Sequence, residues 1–535
     1  MSVPLQGSDA ASAAAREIAC DVLVIGGGPA GCWAALEAAS TGAKVVLVDK
    51  GYCGSSGATA SAGTQIWYVP PDPAEREAAM ASREAMGGYL SERSWMVPVL
   101  DKTFESVNRL AEWGYPFPRN DNDEQQRISV QGPEYMRLLR RRVKNAGITI
   151  LDHHPATQLL SLEGRVVGAS GLRRQAGGHW LVKAGAVVLA AGGCAFMSKA
   201  LGCDVLTGDG YLMGAEVGAE LSGMEFSSAY AISPAFASIT KTALYRFAQF
   251  YRKDHSLIEG AGSARGRSII ARTLLSEPVF ARLDLAGTDE VKAILRRAQP
   301  NFFVPFDRRG INPFTEFFEV KLRLEGTVRG TGGLRLTGLD CSTTVPGLYA
   351  AGDSATREPI CGGFTGGGSH NAAWAIATGA FAGAAAAAYS LQRVSATDFG
   401  PACIALSDTK GIDPAEIIKA VQDEVFPLDI NYFRTHSVLL ASLKRLDALW
   451  ENVGRATALN GDHSLKLRQA QAMLATARFM YRAALSRTET RGMHRREDYP
   501  RQDPTQHHRL ILSGLDHIAV RQEAVDPGVY KEAAE

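Results

Sequence analysis

Residues 21–31 read DVLVIGGGPAG, and few folds accept that order of residues. The apolar, β-branched run predicts a buried strand. Glycines 26, 28 and 31 follow it in the spacing G-x-G-x-x-G, and residues 32–40, CWAALEAAS, predict a helix. Residues 44–49, KVVLVD, predict a second strand, which completes a βαβ unit over 18–50. Each glycine answers a separate demand. Gly26 allows the tight turn, Gly28 lets a pyrophosphate approach the backbone, and Gly31 lets helix and strand pack closely. The helix opens at Pro29 and Ala30, where free N–H groups face phosphates. Asp49 stands where a carboxylate accepts hydrogen bonds from a ribose.

A second Gly-rich stretch, CGGFTGGGSHNAAWA, begins at Cys361 and runs straight into an alanine-rich helix. It follows VPGLYAAGD (345–353), a buried-type strand whose last residue, Asp353, suits a cofactor hydroxyl. A ligand held at both ends of the chain must be long. A nicotinamide dinucleotide needs only the first half; FAD needs a second contact region for its ribityl chain and ring. On this reading the backbone of 366–371 points N–H groups at the pyrimidine edge of the flavin. The positive end of the following helix then stabilises charge on the reduced ring.

Between these landmarks lie a Gly/Ser/Ala-rich loop, GYCGSSGATASAG (51–63), predicted helices over 75–150, short strands over 148–184, and AVVLAAGG (186–193). TGDGYLMGAEVGAELSGMEF (207–226) reads as a Gly-flanked helix leading to a strand, and residues 227–325 change to a composition richer in aromatics and Arg. Residues 413–487 show helical periodicity, and 488–535 predict an extended wrap. His153-His154 and His507-His508 read as exposed pairs.

In order along 18–500, the pieces VIGGGPAG, VVLAAGG, TGDGYLMGAEVGAELSGMEF, VPGLYAAGD, the 363–384 loop and helix, and RTETRGMHRREDYP (487–500) resemble the flavoprotein family of fumarate reductase and succinate dehydrogenase. L-aspartate oxidase and the flavoprotein subunit of adenylylsulfate reductase belong to the same wider group. The resemblance implies an α/β fold: a split Rossmann-like FAD-binding domain, an inserted α+β capping domain and a C-terminal helical domain. The expected boundaries are a disordered tail (1–17), the first segment of the FAD-binding domain (18–226), the capping domain (227–325), the second segment of the FAD-binding domain (326–395), and a helical domain with an extended tail (396–535). It also implies cofactor contacts at Gly26, Gly28, Pro29, Ala30, Gly31, Asp49, Lys50, Ser56, Gly57, Ala58, Gly63, Ala156, Ala191, Gly192, Asp209, Asp353, Ser369, His370, Asn371 and Ala372. Ser56-Gly57-Ala58 stand where the membrane-bound enzymes carry a covalent flavin histidine, so the FAD is expected to be non-covalent.

The substrate residues depart from the family. After Met224-Glu225-Phe226 comes Ser-Ser-Ala-Tyr230, with no histidine. Before the later T-x-G-G stand Val328 and Arg329 instead of the second histidine, and Gly366 occupies roughly the place of a substrate arginine. Arg267, in ARGRSIIART, resembles the family's proton-transferring arginine, with Arg265 as a near alternative. Arg267, His370, Tyr230 and Arg329 are the candidate catalytic residues. A buried carboxylate needs paired charge or several donors, so succinate and fumarate are not the expected substrates.

Three functions stay open on the sequence. One is a dehydrogenase or reductase passing electrons to a separate iron–sulfur or ferredoxin-like protein; another is an oxidase using O2 on an amine or amino acid; the third is a non-catalytic flavin scaffold. Lys+Arg (57) nearly balance Asp+Glu (56), which gives no reason to expect nucleic acid or an anionic membrane as partner. The eight cysteines form no C-x-x-C pair, so no metal or cluster is expected in the chain and the thiols read as reduced and cytoplasmic. The uncharged segment 372–391 is read as a buried helix rather than a membrane span, and no signal peptide is expected. A homo-oligomer is compatible with the sequence.

Overall fold

The computed structural model describes residues 16–365, 369–391, 413–453 and 461–525. A seven-stranded sheet runs through its centre. The strand Arg16–Ile25 pairs in parallel with Val45–Val48 on one side and His179–Leu189 on the other, and Val45–Val48 pairs in parallel with Thr149–Leu151. All four residues of Val45–Val48 are buried, as a strand covered on both faces requires. Arg16 and Glu17, expected to belong to a disordered tail, instead pair with Trp180 and Leu181.

The strand His179–Leu189 changes partners along its length. Its first half pairs antiparallel with Arg165–Leu172. Its last residues, Val187 to Leu189, pair in parallel with Leu348–Ala350. A strand from the second half of the chain thereby joins a sheet begun at residue 16, and Asp353 comes to the same edge as Gly26.

The helix Pro29–Ser40 lies against the helix Ser369–Leu391. Two glycines permit their close approach: a Cβ on Gly379 would meet the Ala30 carbonyl oxygen at 2.4 Å, and one on Gly383 would meet that of Ala34 at 2.2 Å. Ser369–Leu391 is long and apolar enough to cross a membrane, but Ala373, Trp374, Ala377 and Ala382 on it are fully buried in the protein.

Residues 230–324 form their own four-stranded antiparallel sheet, in the order Tyr230–Pro234, Phe318–Leu324, Val279–Arg282, Gln249–Tyr251. A separate apolar cluster including Phe250, Phe302, Phe306 and Val320 fills its inner side. Three helices follow at Pro414–Val425, His436–Val453 and Gly461–Ser486. The C-terminal segment is not merely an extended wrap. His508–Ser513 and Ala519–Ala524 form an antiparallel pair, and the first docks on Leu221–Ser222. RLILS carries the strand signal, masked in the sequence by its Pro-, His- and Arg-rich surroundings. A buried ionic chain fastens this region to the sheet: Arg487 pairs with Glu225 at 2.7 Å and with Glu489 at 2.8 Å, and Arg491 pairs with Glu489 at 2.6 Å.

Candidate functional site

One cavity of about 1160 Å³ runs from the glycine turn at 26–28 to the underside of the 230–324 sheet. That exceeds the roughly 300–1,000 Å³ usual for one small ligand and suits a long cofactor with a second molecule beside it.

The turn is shaped by what cannot fit. A Cβ on Gly31 would lie 1.8 Å from the Gly26 carbonyl oxygen, and Gly26 itself has φ +110°. Gly28 is different. Its φ of −74° is open to any residue, and an added Cβ would meet nothing within 4 Å. Its missing side chain leaves space on the cavity side. Gly57 likewise meets nothing. Asp49 is held at the end of its strand by the Gly27 and Gly51 amides, each donating at 2.7 Å, and by the Ser56 hydroxyl at 2.8 Å. Lys50 bridges to Asp209 at 2.8 Å on the cavity wall. Asp353 pairs with buried Arg357, whose Nη2 also donates to the Thr327 carbonyl at 2.7 Å. Burial pushes the Asp353 carboxyl pKa up and Arg357 opposes the shift. Asn371, in the first turn of Ser369–Leu391, donates to the Val328 carbonyl at 2.9 Å, while its Oδ1 is a buried acceptor without a partner among the described residues.

Among the expected cofactor residues, Gly26, Gly28, Pro29, Ala30, Asp49, Lys50, Ser56, Gly57, Ala58, Gly63, Ala156, Ala191, Gly192, Asp209, Asp353, Asn371 and Ala372 line this cavity. Gly31, Ser369 and His370 do not. Gly31 serves helix packing. The His370 imidazole is fully buried away from the cavity, donates from Nδ1 to the Thr365 carbonyl at 2.8 Å and lies 4.9 Å from the Trp67 ring. Burial, then the Arg83 charge, pull its pKa down to about 3. A side chain so placed is no proton donor to a substrate, which corrects the catalytic expectation for His370. Residues 366–368, expected to face the flavin, lie outside the described residues.

Tyr230, Arg267 and Arg329 line the other end of the cavity. Arg267 opens the helix Arg267–Thr273 and donates to the carbonyls of Tyr230 at 3.1 Å and Ser263 at 2.7 Å. Burial and then the Arg329 charge lower its pKa. Arg265, the alternative, is exposed. The Tyr230 hydroxyl is directed at the Val425 carbonyl, 2.8 Å away, so it ties the capping sheet to the C-terminal helices rather than presenting a proton to the cavity. Arg329 reaches Glu325 at 3.3 Å.

Sequence reasoning missed several residues here. Lys241, Glu325, Tyr432, Thr365 and Arg495 line the same end. The Lys241 ammonium is engaged by the Leu201 carbonyl at 3.1 Å, the Ala58 carbonyl at 3.3 Å and the Cys203 thiol at 3.0 Å. The guanidinium of Arg495 lies 5.3 Å from the centre of the Tyr432 ring. The cavity is therefore not short of positive charge. The paired histidines had suggested exposed surface, but all four are half-buried: His154 lines the cavity, and His507 contacts the Tyr89 carbonyl at 2.5 Å.

The FAD binding domain model matches residues 21–131 and 120–232, and the fumarate reductase flavoprotein C-terminal model matches 423–528. The chain is 24% identical to a subunit of the CoM/CoB fumarate reductase of Methanothermobacter marburgensis, over 92% of this chain and 97% of that protein. It is 26% identical to L-aspartate oxidase of Streptomyces coelicolor, over 93% and 92%. The fold superposes on quinol fumarate reductase of E. coli with a TM-score of 0.81 at 19% identity, covering 95% of this chain and 97% of that one. On adenylylsulfate reductase of Archaeoglobus fulgidus the TM-score is 0.79 at 19% identity, covering 96% of each. The orphaned Asn371 acceptor, the open space at Gly28 and the length of the cavity fit FAD on the structure alone. The chain belongs to the flavoprotein family of fumarate reductase, L-aspartate oxidase and adenylylsulfate reductase, and is an FAD-dependent oxidoreductase.

Proposed function

We propose that the protein transfers a hydride between FAD and a small organic substrate other than succinate or fumarate, and exchanges electrons with a separate iron–sulfur or ferredoxin-like protein. The observation that carries this is the continuity of one cavity from Gly28 and Asp49 to Arg267 and Arg329. FAD, when bound there without a covalent link, supplies hydride chemistry at flavin N5.

The chain's own residues do the rest. Asp49 and the turn at 26–28 would hold the dinucleotide, and Asp353 and Asn371 its flavin half. Arg267, fixed by two backbone carbonyls, would hold or move the proton at the substrate carbon beside the one that exchanges hydride. Its lowered pKa makes that proton easier to release. Where dicarboxylate enzymes carry a histidine after M-E-F, this cavity presents Ser228 and Ala229. A protein partner is favoured because the described residues bring together no group of three His, Cys, Asp or Glu side chains able to hold a metal.

The test is anaerobic photoreduction of the FAD-loaded protein followed by re-oxidation. Slow recovery in air with rapid recovery on adding oxidised ferredoxin supports the partner. Rapid recovery in air alone would overturn it in favour of an oxidase.

A further inference from the structure

The substrate end of the cavity is chemically lopsided. On one side stand Arg267, Arg329 and Arg495, all on its wall, with Glu325 as their neighbouring carboxylate. Glu325 is already engaged, accepting from the Thr240 hydroxyl at 2.6 Å and from Arg329 at 3.3 Å. Arg267 spends two donors on backbone carbonyls. Arg329 makes one long contact. Arg495 has no hydrogen-bonded side-chain partner among the described residues, only the face of Tyr432. Both keep free N–H groups of the kind that grip a carboxylate.

The other side is apolar. Ala229 and Phe364 pack against Met493 and Phe226 in one cluster, and Ala229, Phe364 and Met493 also line the cavity. Ser228, the nearest polar side chain there, is buried and turns its hydroxyl to the Met493 carbonyl at 3.0 Å. A charged group pressed against this wall would lose its hydration without gaining donors.

We propose that Arg329 and Arg495 hold the single carboxylate of a monocarboxylic acid whose apolar body lies against Ala229, Phe364 and Met493, with Arg267 beside the reacting carbons. This rests on the reading above that the cavity serves an FAD-dependent oxidation or reduction. Arg329 stands directly after the turn Gly326–Val328, and Arg495 comes from the C-terminal segment. The acid grip is thus built from two distant stretches of the chain.

The experiment is a titration of the flavin absorbance of the FAD-loaded protein with three probes of equal length: hexanoate, adipate and hexanamide. Hexanoate is expected to bind at least tenfold more tightly than either of the others. Adipate replaces the apolar end with a second charge, and hexanamide removes the charge altogether. Arg329→Gln and Arg495→Gln are each expected to weaken hexanoate tenfold or more at unchanged FAD content. Adipate binding as tightly as hexanoate overturns the single-acid pocket. Hexanamide binding as tightly as hexanoate overturns the carboxylate grip, as do both arginine variants binding hexanoate like the wild type. A protein that takes up no FAD overturns the underlying reading and this inference together. Normal FAD uptake with the wrong probe order overturns the inference alone.

Discussion

Arg267 Nη1 donates to the main-chain carbonyl of Tyr230 at 3.1 Å, which joins the first residue of a helix to the first residue of the strand that opens the capping sheet. The guanidinium is held by backbone, so its position does not depend on a flexible partner. Arg267→Ala is expected to retain full FAD content while substrate-dependent flavin reduction falls by about a hundredfold or more, the scale of a lost acid or base. Stopped-flow absorbance of the loaded variant measures this directly, and undiminished reduction would remove Arg267 from the chemistry.

Two glycines of one motif should behave oppositely. A side chain at Gly28 meets only open space, whereas one at Gly31 collides with the Gly26 carbonyl oxygen at 1.8 Å. Gly28→Val should leave the melting temperature of the FAD-free protein almost unchanged, yet lose cofactor binding. Gly31→Val should destabilise the FAD-free protein itself, by roughly 1–3 kcal/mol or more, as overpacking does. Melting curves of the stripped variants, beside FAD titrations, separate the two.

His370 should matter for stability rather than chemistry. Its folded pKa of about 3 lies below the ordinary 6.5, so between those values the unfolded chain binds a proton that the folded one refuses. Stability therefore falls as pH drops from 6.5 towards 3. His370→Asn should flatten that acid limb, lower the melting temperature at about pH 7 by a few degrees through lost packing against Trp67, and leave the pH dependence of flavin reduction unchanged. A vanished ionisation in the rate profile would contradict this placement.

Glu358 predicts the opposite slope. Burial, then the Glu225 charge, raise its pKa from 4.5 to about 8. The folded chain keeps a proton that the unfolded chain releases, so this contribution is complete below pH 4.5 and is lost as pH rises towards 8. Glu358→Gln, neutral throughout, should match the wild type near about pH 5 and melt a few degrees higher at about pH 8.5. Equal melting temperatures at both pH values would show that the carboxyl ionises freely in the fold.

The features legible in the sequence were those where backbone shape is itself the function. The turn at 26–31, the acid at 49 and the second strand ending at Asp353 announce themselves because only glycine or a strand-end carboxylate fits there. The substrate end was less legible. Arg495 sits within a motif dominated by buried structural arginines, and nothing local distinguishes it from Arg491 or Arg496, which spend their donors on Glu489 and Asp498. Its role emerges only when residues 325–329, 432 and 495 meet across the cavity. His370 misled for the converse reason: its place beside the Gly-rich loop was right, but the direction of its ring was set by Trp67 and Thr365, which no spacing rule encodes.

The account depends most on the cavity being built for FAD rather than for a nicotinamide dinucleotide, because Asp353 and Asn371 matter only to the longer cofactor. Calorimetric titration of the FAD-stripped protein with FAD, NAD+ and NADP+ decides this. The prediction is one FAD per chain, bound at least a hundredfold more tightly than either nicotinamide cofactor, with affinity falling about tenfold or more in Asp353→Ala. Equal or tighter binding of NAD+ or NADP+, or FAD affinity indifferent to Asp353, would contradict the account.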